Sequence, residues 1–303
     1  MALQKTARSA CSRKVHCVAK KYLEDPFASF FAQDNTIVNS PLMNRGTWLR
    51  TVAIQNCVTS FYKQCGGVPI QVISFGAGVD TLYFRLRKEN PNLKLAKFVE
   101  LDFADLVREK ELIIKKNSIF SSCIGDDDNY ALLPCDLRKP EAITALLKKH
   151  VTPGIPTILL AEMVFVYIEA SITTELLRQT LENVLEGDRT PVEFISYDAM
   201  QPSDRFGQMM VDNLDAIGAS LKGIHDLPTT EAHEARAKEV GFSHVKAFSM
   251  KKLYLLVPTE QQRWMNKLEM IDDWDEWNLV HEHYCFVIAT TANVELPQIF
   301  ESS

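Results

Sequence analysis

The sequence contains no run of 18 uncharged apolar residues, no internal repeat, no low-complexity linker and no CxxC pair among its seven cysteines. The first absence excludes a membrane-spanning helix, and the second excludes solenoids and propellers built from stacked units. An odd number of cysteines without paired spacing, in a chain of 303 residues, excludes a disulfide framework and predicts reduced thiols. Glycine (12) and proline (13) are too sparse for collagen or a disordered linker. The N-terminus, MALQKTARSACSRKVHC, carries basic residues but not the apolar stretch of a signal peptide, so a cytoplasmic location is expected. Basic excess is missing too: Lys plus Arg is 33 against 39 Asp plus Glu, a net charge of −6. With no long basic run, binding to a phosphate backbone by charge alone is disfavoured. What is present is the balance of a globular chain, 46% hydrophobic and 24% charged. A chain of this length buries roughly three quarters of its unfolded surface, and one domain spanning 1–303 is expected.

From Gln71 onward short apolar runs alternate with longer amphipathic ones, the rhythm of strands joined by crossover helices in an α/β fold. QVISF (71–75), KFVELD (97–102), YALLPCDL (130–137), TILLAEMVFVY (157–167) and VEFISYDA (192–199) are apolar enough for parallel strands covered on both faces. Between them FADLVREKELIIKK (103–116), PEAITALLKKH (140–150) and SITTELLRQTLENVL (171–185) have apolar residues at helical spacing, the last with Ser171 and Glu175 placed as caps. Residues 1–65 read as helical, broken at Asp25-Pro26 and Ser40-Pro41. Residues 200–235 read as a helical insertion after the fifth strand, a candidate lid. HVKAFSM (244–250) and HYCFVIATT (283–291) leave no room for an ordinary short crossover and would close the sheet as its sixth and seventh strands.

The segment Phe75-Gly76-Ala77-Gly78-Val79-Asp80-Thr81 follows the first strand directly. Glycines there let the backbone turn tightly and approach a ligand that a Cβ would exclude. A dinucleotide fingerprint wants a third glycine where Thr81 stands, which weakens a pyrophosphate reading. A plain strand-to-helix turn has the same pattern. The second strand, however, ends in Glu100-Leu101-Asp102, where an acidic side chain reaches ribose hydroxyls in nucleotide-binding sheets. Asp136-Leu137 ends the third strand and Glu162 lies within the fourth, on the side of the sheet where ligands sit. A carboxylate in an apolar strand costs several kcal/mol unless paired or solvated, so Glu162 needs a partner. Acidic residues without the third glycine suit a cationic or neutral nucleoside, and S-adenosylmethionine is a sulfonium nucleoside.

Six strings, GAGVDTLYFRL (76–86), FVELDF (98–103), CDLRK (135–139), LLAEMVFVY (159–167), DRFGQMM (204–210) and HYCFVIAT (283–290), resemble in order and spacing the leucine carboxyl methyltransferase family. DPF (25–27) and NRGTWLR (44–50) extend the resemblance to nearly the whole chain. It implies the class I S-adenosylmethionine-dependent methyltransferase fold, a Rossmann-like, seven-stranded, mostly parallel sheet with the last strand antiparallel. It implies S-adenosyl-L-methionine as cofactor, held by Lys14, Arg50, Gly76, Asp102, Asp136, Leu137 and Glu162. As reaction it implies methylation of the C-terminal leucine α-carboxylate of the protein phosphatase 2A catalytic subunit, which would then be the protein partner. The alternative is a small-molecule carboxyl or hydroxyl O-methyltransferase of the same superfamily. Another branch acts in tRNA wybutosine synthesis and carries a long C-terminal propeller; with its last residue at Ser303, this sequence is expected in the first branch.

An α-carboxylate has a pKa of about 3.3–3.7 and is ionised at neutral pH, so such an acceptor needs no general base. The expected catalytic residues are Arg50, whose planar fork can grip a carboxylate, and Tyr197 near the end of the fifth strand. Arg205 is a further candidate near the acceptor, with a helix-start ion pair as its plainer role. Tyr83, Phe84, Phe206, Met209 and Met210 read as packing, or, for the two methionines, as an adaptable wall for a leucine side chain. His281 and His283 lack a third ligand at recognisable spacing, and no metal is expected. The run Asp126-Asp127-Asp128 reads as a solvated loop, and Asp272-Asp273-Trp274-Asp275-Glu276-Trp277 as a helix face packed on the core or meeting a partner. A nicotinamide dehydrogenase on the same kind of sheet and an inactive binding module are the readings from other classes.

Overall fold

The computed structural model describes residues 2–32, 38–124 and 129–300. Its centre is a seven-stranded sheet of β1 (Ile70–Phe75), β2 (Leu95–Asp102), β3 (Tyr130–Pro134), β4 (Thr157–Glu162), β5 (Val192–Ala199), β6 (His244–Ser249) and β7 (Tyr284–Thr290). The strand order is β3-β2-β1-β4-β5-β7-β6, with β7 antiparallel to both its neighbours and the other pairings parallel. The chain therefore leaves β1 towards one edge and returns at β4 to build the other half. Between the C-terminal ends of β1 and β4 the two connections diverge and open a crevice.

Helices cover both faces: α1 (Ala2–Ala19), α2 (Pro41–Gln64), α3 (Leu82–Glu89), α4 (Ala104–Lys116), α5 (Ser118–Ile124), α6 (Pro140–Leu147) and α7 (Ala170–Gln179) come first. They are followed by α8 (Arg205–Ala216), α9 (Thr230–Val240), α10 (Met250–Tyr254), α11 (Thr259–Leu268) and α12 (Trp274–Glu282). Alternation along the strands sorts the core. Val72, Phe98, Ile158 and Ile195 pack with Phe61 of α2, Phe84 of α3, Phe120 of α5 and Trp277 of α12. Their neighbours Ile73, Val99, Leu159 and Phe194 pack with Ile143 of α6, Leu177 of α7 and Val240 of α9. Strands apolar on both faces are what this double cover requires.

Several element ends differ from the sequence reading, each for a local reason. β3 stops at Pro134, and Asp136 and Leu137 lie beyond it in a turn where Asp136 Oδ1 accepts from the Arg138 N–H at 3.1 Å. β4 stops at Glu162 because Met163 takes φ +51°, and Phe165–Tyr167 form a short 3₁₀ turn. Ser171 and Glu175 do not cap α7; Glu175 instead pairs with Arg178 and accepts from Gln179. The insertion after β5 comprises α8 and the loop behind it, while α9 is the crossover that packs on β6. β6 and β7 are joined through three helices, α10 to α12, rather than by a tight turn. In the N-terminal region Asp25 Oδ1 accepts from the Phe27 and Ala28 N–H groups at 3.0 Å, and Pro41 opens α2. The acidic run 126–128 lies outside the described residues. No helix among the described residues is long and apolar enough to cross a membrane.

Candidate active site

The crevice holds a cavity of 370 Å³, within the roughly 300–1,000 Å³ usual for small-molecule sites. Its wall contains all seven residues expected to hold a cofactor: Lys14, Arg50, Gly76, Asp102, Asp136, Leu137 and Glu162. They come from α1, α2 and the C-terminal ends of β1 to β4, positions up to 148 apart brought together by the topology alone.

The glycine turn is built against β2. Gly76 has φ +63° and Gly78 φ +54°, the left-handed region that favours glycine. A Cβ on Gly76 would lie 2.2 Å from Val164 Cγ2, so the close approach of the β1 and β4 connections depends on this residue. Asp102 then fixes the turn: one carboxylate oxygen accepts from the Gly78 N–H and the other from the Phe103 N–H, both at 2.6 Å. Burial raises its pKa despite those two bonds. Position along β2 separates it from the second acidic candidate: Glu100, one side-chain repeat back from the strand end, is buried in the core with Lys110 and with Tyr130 Oη at 3.0 Å.

Glu162 finds its partner in Arg50, with Nε and Oε1 2.8 Å apart. The Arg50 guanidinium also lies 5.0 Å from the centre of the Tyr197 ring, which stacks at 5.5 Å on Tyr284. Burial works against the Arg50 charge, but Glu162 and Tyr197 override it and the pKa rises. Tyr197 is thus behind Arg50 and not on the cavity wall, a correction to its expected catalytic place: it supports the guanidinium. Lys14 pairs with Asp80, also on the wall. Burial pushes Asp80 up, yet Lys14 and Arg85 prevail and hold its carboxyl well below the usual range. Asp136 is clamped at the rim by Arg138, whose Nε and Nη2 donate at 2.8 and 2.7 Å and lower its pKa.

Arg205 stands exposed in the first turn of α8, outside the cavity, and forms no helix-start pair with its neighbour. Asp204 caps that helix through the Gly207 N–H at 2.7 Å and meets His283 Nε2 at 2.9 Å. Tyr83 and Phe84 are core, Met209 is exposed, and Met210 packs on the cluster of Val166, Leu221 and Tyr284. His281 stacks on Trp277 at 3.6 Å, and no group of three metal-ligating side chains occurs among the described residues. The lid candidate reaches the cavity through the loop behind α8, by Gly218, Ser220 and Lys222, whose ammonium meets Glu169 at 2.9 Å. Sequence reasoning gave no role to Asp80, Tyr167, Arg138 or Lys222. Asp80 lay inside the glycine string and Arg138 beside Asp136; for Tyr167 and Lys222 no signal was available.

Among the described residues the cavity wall has no histidine, and burial pushes its two thiols up, Cys11 to about 11 and Cys135 to about 12. A family model described as leucine carboxyl methyltransferase matches residues 2–181. The chain belongs to the leucine carboxyl methyltransferase family. Its relatives include a leucine carboxyl methyltransferase 1 homolog of Arabidopsis thaliana, 30% identical over 95% of this chain and 89% of that one. The leucine carboxyl methyltransferase 1 of Schizosaccharomyces pombe is 31% identical over 90% and 89%. The human tRNA wybutosine-synthesizing protein 4 is 30% identical over all of this chain but only 46% of its own length. In fold, the crystal structure described as a methyltransferase from Thermobifida fusca YX superposes with a TM-score of 0.53 at 15% identity, covering 82% of this chain and 86% of that one.

A leucine carboxyl methyltransferase family member with this sheet is a methyltransferase of the S-adenosylmethionine-dependent fold, which removes the dehydrogenase reading. S-adenosylmethionine is the donor that the sequence resemblance implies. The cavity fits that molecule chemically: carboxylates at Asp102, Asp136 and Glu162 suit hydroxyls and a cationic centre. Lys14 and Arg50 suit its carboxylate, and Phe75, Val79, Leu106 and Leu137 offer an apolar wall to its base.

Proposed function

We propose that this methyltransferase esterifies the α-carboxylate of the C-terminal leucine of the protein phosphatase 2A catalytic subunit, in the cytoplasm. The observation that carries the reading is a half-buried guanidinium, Arg50, set opposite Glu162 on the wall of a cavity with no histidine or low-pKa thiol among the described residues. Such a site is equipped to orient an anion and not to deprotonate an alcohol.

When bound, S-adenosylmethionine supplies an electrophilic methyl group on a positively charged sulfur. Asp102 and Asp136 would hold its ribose and base end, and Lys14 with Arg50 its carboxylate end. An acceptor carboxylate arrives ionised, so the protein's work is alignment and exclusion of water. Arg50 can share its fork with an incoming carboxylate without taking up a proton, because guanidinium stays charged. Glu162, already paired, keeps that fork in one orientation, and the Tyr197 ring supports its face. Lys222 and its loop line the cavity with the Lys222 side chain exposed, so an acceptor arriving from solvent can meet it.

The experiment is transfer of labelled methyl from S-adenosylmethionine to the intact phosphatase catalytic subunit, beside the same protein lacking its last leucine. Base-labile label that disappears with the leucine supports the reading. Label on neither, with the donor still bound, moves the acceptor to a small carboxylate or hydroxyl compound. A tRNA arm is included because of the relative named for tRNA wybutosine synthesis.

A further inference from the structure

Behind the cavity, on the face of the sheet covered by α9, lie two buried side chains of opposite charge type that no part of the proposed chemistry uses. Asp198 of β5 is 2% exposed and Arg236 of α9 is 4% exposed. All three guanidinium nitrogens of Arg236 lack a hydrogen-bond partner, and its carbon lies 5.9 Å from the Phe165 ring and 6.0 Å from the Phe194 ring. Phe194 and Asp198 share one face of β5, so Arg236 spans the strand beyond salt-bridge distance of Asp198, the acid among the described residues that supports its charge. A charge buried this far from water is retained only with a counter-charge.

The Asp198 carboxylate faces the β4 connection. Its Oδ1 accepts from the Val166 N–H at 3.2 Å, and the Val164 N–H is directed at the same group. That connection carries Glu162, Met163, Val164 and Tyr167 into the cavity wall. It is also where the backbone is strained, with Met163 at φ +51° and its N–H tied to the Tyr197 carbonyl at 2.6 Å. A non-glycine residue in that conformation needs its surroundings to hold it. Val164 must in addition stay seated against Gly76, where no Cβ would fit.

We propose that Asp198, with Arg236 as its counter-charge, is a positioning residue for methyl transfer: it pins the Val164 and Val166 N–H groups and so sets Glu162 and Met163 against the donor. It touches neither donor nor acceptor and acts through the turn. This rests on the donor-site reading above. Burial pushes Asp198 up to about 7 against the pull of Arg236, so its charge responds to neutral pH. The other titratable groups around it are Cys285 of β7 and Tyr167 of the turn, both pushed up by burial and neutral there.

The test is calorimetric binding of S-adenosylhomocysteine to the full chain and to Asp198→Ala and Asp198→Asn, with thermal melts of each. Asp198→Ala is expected to weaken binding about tenfold, as loss of a hydrogen bond to a charged group does. Asp198→Asn, isosteric but uncharged, is expected to fold and to bind at pH 8 about as weakly as the wild type does at pH 6. The wild type is expected to bind more weakly at pH 6 than at pH 8, by a margin that Asp198→Asn lacks. Should Asp198→Ala fail to fold, that pH comparison decides. Equal affinity in wild type and Asp198→Ala, or the same pH response in wild type and Asp198→Asn, overturns the inference. A wild type that does not bind S-adenosylhomocysteine overturns the donor-site reading instead.

Discussion

Arg50 and Glu162 lie 2.8 Å apart although 112 positions separate them, one on a long N-terminal helix and the other at the last residue of β4. A carboxylate at the end of an apolar strand and a guanidinium in a helix packed on the sheet are each costly alone. Together they make a fixed fork at the cavity wall.

Arg50→Lys is expected to keep the fold and to lower turnover by about a hundredfold, since an ammonium cannot reproduce the planar geometry and a displaced acceptor reacts slowly. Steady-state methyl transfer, with circular dichroism beside it, checks this. Turnover within threefold of wild type would remove Arg50 from the chemistry.

Asp102→Ala removes the acceptor of the Gly78 N–H and, on the proposed reading, a donor-ribose contact. Donor binding is expected to weaken at least tenfold, from about 1.5–3 kcal/mol of charge-assisted hydrogen bonding. Calorimetric affinity equal to that of wild type would sink the assignment.

Glu193 of β5 is fully buried, and neither carboxylate oxygen has a partner among the described residues. Burial raises its pKa well above the usual range, so the folded state holds this proton longer than the unfolded chain. The stability that this proton confers is present below the ordinary carboxyl pKa and is lost as pH rises through and above it. Glu193→Leu is expected to stabilise by about 1–3 kcal/mol at pH 7, the penalty of an unsatisfied buried group, and to flatten that slope. A lower urea midpoint in the variant at pH 7 would contradict it.

His281 and His233 give the opposite slope. Burial lowers them to about 4 and about 3, so between pH 6.5 and these values the unfolded chain takes up protons that the native state refuses. Stability is complete above pH 6.5 and falls as the pH drops towards 4. Melting temperatures from pH 7 to pH 4.5 are expected to fall less in His281→Gln than in wild type, and a steeper fall would refute the assignment.

The strands, the glycine turn and the acidic residues at the strand ends were legible because each carries a local signature, whereas Lys14 and Arg50 came from the family resemblance alone. What stayed hidden depends on pairings across long separations. Nothing near Lys14 announces Asp80, and nothing near Arg236 announces Asp198, because each pair is made by topology. Strand ends were overrun for a related reason: apolar residues continue past Glu162 and only the φ of Met163 ends β4. The choice between Glu100 and Asp102, which share one face of β2, was open until the end of the strand at Asp102 put the second at the turn and Lys110 held the first in the core.

The last strand enters the sheet in an interior position, between β5 and β6. During synthesis β6 emerges with no neighbour to pair with, and β5 keeps one open edge, until residues 284–290 arrive. From completion of β6 until residues 284–290 are made, the nascent chain therefore exposes unpaired backbone on two strands, the condition in which edge-to-edge association starts. Closure of the sheet, and with it cover for these two edges, waits on residues 284–290.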